Sequence, residues 1–303
     1  MKIGKASNMF DASPYSTVLI YGGSGMGKTT WAADAPMPLF VLLEHQATKS
    51  IRISNPDAQI IEVDTPAELG KVMALVLTSR RVTLESGQSA ATLTISGQEL
   101  TYQTLVIDSL TEYCEWLVQQ AESPVKAKSG GPPVHQGTRV EANTMQVTIQ
   151  RYGDIRSATK RFCSDAGRIP ANVIFIARAR LEEETATIVP MTAPKGLGRE
   201  VIGYFTACGY AEAGKQGLVV RWAQTPGRLC KPGSPHWPKA VPNNFGPGQR
   251  VTLGSLALYD GQAMDSDCRT IPANNGDSAE LVASIKQQLK AAPAVTGDDS
   301  DEF

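Results

Sequence analysis

The sequence predicts an α/β fold in which a mostly parallel sheet is flanked by helices, with a β-rich edge toward the C-terminus. Three observations predict it. Apolar runs of strand length alternate with stretches of helix length, the order that builds a parallel sheet. The glycine-rich segment GGSGMGKTT, residues 22–30, joins one such run to a helical stretch. The 303 residues can bury a large core, and 42% hydrophobic with 19% charged residues is the composition of a globular chain.

STVLIYG (16–22) is a continuous apolar run that ends at the glycines and reads as a buried strand. KTTWAADA (28–35) continues as a helix until Pro36 stops it. PLFVLLE (38–44) and QIIEV (59–63) are further strands, and PAELGKVMALVLTS (66–79) is an amphipathic helix with Thr65 as its N-cap. RVTLES and ATLTISG flank a glycine-containing turn, which predicts a hairpin. TLVID (104–108) is a strand leading into the helix LTEYCEWLVQQAE (110–122). Residues 123–141 are rich in Gly, Pro, Ser and Lys, which predicts a mobile loop before a long helix over 145–167. NVIFIA (172–177) is the next strand, and the two-residue alternation of LVVRWAQ (218–224) marks the β-rich edge. Prolines and glycines crowd 225–250, a last helix is expected over 278–291, and PAVTGDDSDEF is an acidic, low-complexity tail expected to be disordered. The expected organisation is an N-terminal arm (1–14), a core (15–224), a C-terminal extension with its final helix (225–291) and the tail (292–303).

Bulk properties narrow the function classes. A net charge of -1 gives no global attraction to nucleic acid, so any such binding has to come from a local patch. The cysteines at 114, 163, 208, 230 and 268 are odd in number and never form a C-x-x-C pair. That argues against a disulfide framework or zinc ribbon and fits a reducing compartment. No run approaches the length of a membrane helix, and Met1–Phe10 lacks the apolar stretch of a signal peptide. A cytoplasmic location without membrane contact is expected.

Gly22, Gly27, Lys28 and Thr29 complete the pattern G-x-x-x-x-G-K-[ST], with Gly23, Ser24, Gly25 and Met26 between and Thr30 after. Glycines let backbone amides turn toward phosphate oxygens, Lys28 neutralises the β- and γ-phosphates, and Thr29 offers a hydroxyl to Mg²⁺. The strand before and the helix after supply the context this motif needs. ATP and Mg²⁺ are therefore the expected ligands. Such a site also needs an acidic residue at the end of a neighbouring strand to hold the metal, and Asp108 after TLVI meets that need.

The residue after Asp108 is Ser109, so the hydrolytic base is not the adjacent glutamate of AAA+ and ABC ATPases. Glu44, at the end of PLFVLLE, is placed to activate water; the alternative is a plain surface carboxylate. LESGQS (84–89) echoes the ABC signature but lacks its second glycine and sits in a strand-turn context. The lack of N-K-x-D, and of D-x-x-G after the expected metal strand, argues against a GTPase. Arg178 and Arg180 after NVIFIA keep a nucleoside or nucleotide kinase with an arginine-bearing lid as a second class. A non-hydrolysing, nucleotide-gated assembly protein is a third.

In their order, LIYGGSGMGKTTWA, PLFVLLE, YQTLVIDSLTEYCEW, RYGDIRSATKRF and NVIFIARARLEEE resemble the phage-encoded RecA-like P-loop ATPases that include single-strand-annealing recombination proteins. TIVPMTAPKGLGREVIGYFTACGYAE is similar to that family's segment after the fourth core strand, where a proline, a small-basic stretch and a helix lead into a further strand. The resemblance spans residues 15–240. It implies a RecA-like core, ATP hydrolysis with Glu44 as base, and action on single-stranded DNA in annealing, recombination or replication. It further implies a homo-oligomer, ring or filament, in a host cytoplasm. Two departures stand out. Ala177 and Arg178 occupy the place where relatives often carry a polar residue that senses the γ-phosphate. The stretch 225–250 only loosely matches the segment that carries basic residues toward a neighbouring subunit's nucleotide.

Between 151 and 180 lie Arg151, Arg156, Lys160, Arg161, Arg168, Arg178 and Arg180, against only Asp154 and Asp165. On a helix, 156 and 160 share a face. With Lys126, Lys128 and Arg139 of the preceding loop these residues are candidates for gripping a DNA backbone; the alternative is a solvated helix face. His45, His135 and His236 stand apart from any metal-ligand spacing. Trp116 and Trp222 are expected in the core, and Trp237 among its prolines is the candidate for an exposed contact. Acidic tips ending in phenylalanine, as GDDSDEF does, resemble those of single-stranded-DNA-binding proteins, which dock replication partners and compete with DNA for a basic groove. The alternative is a solubilising tail.

Overall fold

The computed structural model of the chain describes residues 15–121, 149–214, 217–233 and 240–242, with the backbone of 123–124, 134–135, 138–139 and 145–146. The expected N-terminal arm, the helix over 278–291, the acidic tail, Lys126, Lys128, His236 and Trp237 lie outside these residues.

The apolar runs form the strands of one nine-stranded sheet. They are β1 (Thr17–Gly22), β2 (Pro38–Leu42), β3 (Gln59–Glu62), β7 (Thr104–Asp108), β12 (Asn172–Glu182), β13 (Thr187–Pro190), β14 (Ala207–Gly214), β15 (Gly217–Arg221) and β16 (Ala240–Pro242). A separate antiparallel sheet holds β4 (Arg80–Thr83), β5 (Ser89–Ile95) and β6 (Gln98–Tyr102), and β8 to β11 are two-residue pairings at 123–124, 134–135, 138–139 and 145–146. The main sheet runs β16-β15-β14-β1-β12-β7-β2-β3, with β13 alongside β12. From β14 to β3 every neighbouring pair is parallel, and antiparallel pairing is confined to β13 and to the β15–β16 edge.

Every residue of β1, β2 and β7 is buried, as strands covered on both faces must be. Alternate side chains serve opposite layers. Leu19 and Tyr21 pack with the layer that includes Leu69, Cys114, Phe162 and Leu197. Val18 and Ile20 pack with Trp31, Ile51 and Trp222. Helices α1 (Lys28–Ala33) and α2 (Ala47–Ser54) thus cover one face; α3 (Pro66–Leu77), α4 (Leu110–Ala121), α5 (Ile149–Ala166) and α6 (Leu197–Val201) cover the other. Thr65 caps α3 as its sequence predicts: its hydroxyl accepts the Glu68 amide at 3.2 Å, while the Glu68 carboxylate accepts the Asp64 amide.

Several boundaries differ from expectation for reasons that sequence windows do not contain. The long helix begins at Ile149, since Met145–Gln146 pairs with Ser123–Pro124. NVIFIA continues to Glu182 because its end finds an antiparallel partner in β13. The expected hairpin is a three-stranded sheet: Ser96 and Gly97 turn with φ of 51° and 81° and return the chain as β6. The strand ending in Asp108 is not the neighbour of β1, because β12 lies between them.

Candidate active site

The parallel strands point their C-terminal ends at one edge, and the site is built there. Between β1 and α1 the loop needs glycine at two places for its backbone alone: Gly25 and Gly27 have φ of 76° and 65°. Gly22 is required for a different reason. A Cβ there would stand 2.3 Å from the carbonyl oxygen of Ala211, so β1 and β14 approach too closely for any side chain.

Lys28, nearly buried, donates its Nζ to the carbonyl oxygens of Gly22 and Gly23 at 3.0 and 2.6 Å. Burial lowers its pKa, and the carboxylates of Asp108 and Glu44 act against that fall. The Thr29 hydroxyl donates to Asp108 Oδ2 at 2.8 Å. Asp108 is 4% exposed, and burial pushes its carboxyl up to about 6 although the Thr29 hydrogen bond pulls it down.

β2 lies beside β7 with Leu42 opposite Asp108, and the Leu43 amide donates to the Asp108 carbonyl at 2.7 Å. That register delivers Glu44 to the same edge. Its Oε1 accepts the Ser109 hydroxyl at 2.7 Å and the Arg178 Nη2 at 3.0 Å. Arg178 follows Ala177 on β12, opposite Gly22 of β1, so it stands between the glycine loop and the Asp108 strand. Its guanidinium also meets Glu112 at 3.5 Å and Glu115 at 3.4 Å, both from α4. Burial alone would lower the Arg178 pKa; the carboxylates, Glu44 foremost, raise it overall. Burial and then the Glu115 and Glu44 charges raise that of Glu112.

These groups face one cleft of about 390 Å³, whose walls include the loop residues Ser24–Thr30, Glu44, Asp108, Ser109 and Arg178. Its chemistry suits a phosphate chain: the Lys28 ammonium and the Arg178 guanidinium stand beside the carboxylates of Asp108 and Glu44. The donor set also fits Mg²⁺. A carboxylate whose pKa is raised by burial, joined to a hydroxyl, is the hard-oxygen pair that a cation shared with phosphates would occupy.

The basic candidates are disposed differently. Arg151 donates to the Ala121 carbonyl. Arg156 and Lys160 share a helix face, and both pair with Glu200 of α6, Lys160 at 2.6 Å. Arg161 is exposed, and Arg139 is described only as backbone in the pairing with Val134–His135. Arg180 donates to the carbonyls of Thr192 and Lys195, which ties it to the connection after β13. His45 pairs with Asp64 at 2.7 Å and is exposed. Trp222 is fully buried against Trp31, and Trp116 is half-buried on the core.

Sequence reading passed over three participants. Ser109 was visible only as a missing glutamate, and Glu112 and Glu115 only as polar positions three apart in LTEYCEW. The one available signal was that spacing, which puts two carboxylates on one face of a helix that starts just after the strand ending in Asp108.

A family model described as an AAA domain matches residues 15–233. No curated protein matches the chain. Among solved structures, the flagellar accessory protein FlaH from Methanocaldococcus jannaschii is similar at 11% identity, over 75% of this chain and 83% of that one, with a TM-score of 0.35. Among the described residues, no helix is long and apolar enough to cross a membrane.

Proposed function

The chain belongs to the AAA domain family, and from that premise we propose that it is a RecA-like, Mg²⁺-dependent ATPase that couples hydrolysis to single-stranded DNA. The observation that carries the ATPase reading is the convergence of Lys28, the Thr29–Asp108 pair and Glu44 on one cleft from three separate stretches of sequence. Lys28 and the loop amides bind the phosphate chain, and Thr29 and Asp108 hold the cation. When bound, Mg²⁺ supplies charge neutralisation at the phosphate oxygens. Glu44 takes a proton from water as the water oxygen bonds to the γ-phosphorus and the bond to the departing ADP oxygen breaks. Ser109 orients the Glu44 carboxylate for that transfer.

The DNA partner rests on the basic residues of α5, with the loop residues Lys126, Lys128 and Arg139 before it. Assembly as a ring or filament would let one subunit's cation reach another's nucleotide. Annealing, recombination or replication is the kind of transaction this reading supplies, and the acidic tail is its candidate contact with a partner protein.

The test is ATP hydrolysis by wild type and Glu44→Gln, each with and without single-stranded DNA. The proposal expects DNA-stimulated turnover in wild type, and a variant that still binds Mg-ATP but turns over at least about 100-fold more slowly. Turnover that depends on a small phosphate acceptor instead would favour the kinase class. Binding without turnover in wild type would favour the nucleotide-gated assembly protein.

A further inference from the structure

One cation in the cleft is shared by three carboxylates. Arg178 meets Glu44 through Nη2, and the same nitrogen with Nη1 meets Glu112 and Glu115. The arginine is 40% exposed, so its side chain has room to turn. A planar guanidinium fork that pairs with carboxylates pairs equally well with phosphate oxygens. We propose that Glu112 and Glu115 form a resting cradle for Arg178 that competes with the γ-phosphate for the arginine and so reports the nucleotide state to α4. The inference rests on the ATPase reading above.

The geometry sets the sequence of consequences. A terminal phosphate held at the loop draws the guanidinium away from α4 and away from Glu44. Glu44 then loses its ion pair while keeping the Ser109 hydrogen bond, which frees the carboxylate to accept a proton. Glu112 and Glu115, three apart on α4, are left facing each other without a cation, and like charges at that spacing destabilise a helix. Departure of the terminal phosphate returns the arginine and restores the cradle. ADP, which lacks that phosphate, leaves Arg178 where it is.

The discriminating quantity is the ratio of affinities for a non-hydrolysable ATP analogue and ADP, both with Mg²⁺, measured by calorimetry on the full chain. The Glu112→Gln/Glu115→Gln variant removes the competitor. It should tighten the ATP analogue by about fivefold while leaving ADP unchanged, the worth of one half-exposed ion pair. Arg178→Ala should narrow the ATP-to-ADP ratio instead, and Arg178→Lys, charged but without the fork, should recover only part of it. Hydrogen exchange across Leu110–Ala121 should be faster with the ATP analogue than with ADP in wild type, and equal in the double variant. If wild type binds both nucleotides and the double variant moves both affinities together, or neither, the cradle is wrong and the ATPase reading stands. If wild type binds neither nucleotide, both fall.

Discussion

Ser109 donates its hydroxyl to Glu44 at 2.7 Å across 65 residues of sequence. In the proposed reaction Ser109 does not itself act on water; it aims the carboxylate assigned as the base. Ser109→Ala should therefore lower kcat about tenfold with little change in KM, since an orienting hydrogen bond is lost while phosphate contacts remain. Steady-state kinetics check this, and a variant altered in KM alone would put Ser109 in substrate binding instead.

Lys28 is nearly buried yet bonded only to carbonyl oxygens of its own loop, and burial lowers its pKa. Its removal costs the fold little. Lys28→Ala should keep the wild-type Tm within a few degrees while weakening ATP-analogue binding about 100-fold, the loss of charge-assisted contacts to phosphate. Calorimetric titration beside a thermal melt separates the two effects. Full affinity in the folded variant would remove Lys28 from the phosphate site.

Asp108 yields a pH signature. Its folded carboxyl titrates at about 6 against an ordinary 3.8, so between those values the native state holds a proton that the unfolded chain has released. Metal-free stability should fall as pH rises through that window. Asp108→Asn keeps an acceptor for the Thr29 hydroxyl without the buried charge. It should be more stable than wild type at pH 7, by on the order of 2 kcal/mol, and should lose that advantage below pH 4. Denaturant unfolding in a chelator across pH 3.5 to 7.5 measures it, and a pH-independent difference would contradict the assignment. The same variant should lose the Mg²⁺ dependence of nucleotide binding.

Glu200 neutralises two of the proposed DNA contacts by pairing with Arg156 and Lys160. Glu200→Gln should strengthen single-stranded DNA binding several-fold at low salt. Neutralising Arg156 and Lys160 together should flatten the salt dependence by about two counterions. Deleting residues 297–303 should tighten binding most at low salt, because attraction between an acidic tail and a basic surface is screened. Fluorescence anisotropy over a salt series reads all three. A salt-independent affinity would argue for the solvated helix face, and identical curves with and without the tail would leave it a solubilising role.

The sequence alone determined whatever is encoded within one element. The phosphate loop, the strands of residues 17–22, 38–42 and 104–108, the Thr65 cap and the buried tryptophan at 222 follow from local residue type and periodicity. Glu44 was legible as a candidate because a carboxylate ending the strand after the loop helix is itself a local pattern. The motif did not reveal why Gly22 is glycine: Ala211 of a strand far along the chain decides it.

Tertiary structure decided the partners. Arg178 reaches Glu44 across 134 residues, and Glu112 and Glu115 across 66 and 63, because β12 is inserted between β1 and β7 and α4 folds back onto its end. Read locally, that arginine suited a kinase lid, and Glu112 and Glu115 were two more charges on a helix. Sheet order brings them together, and sheet order is chosen by burial summed over the whole chain, which no window of neighbouring residues contains.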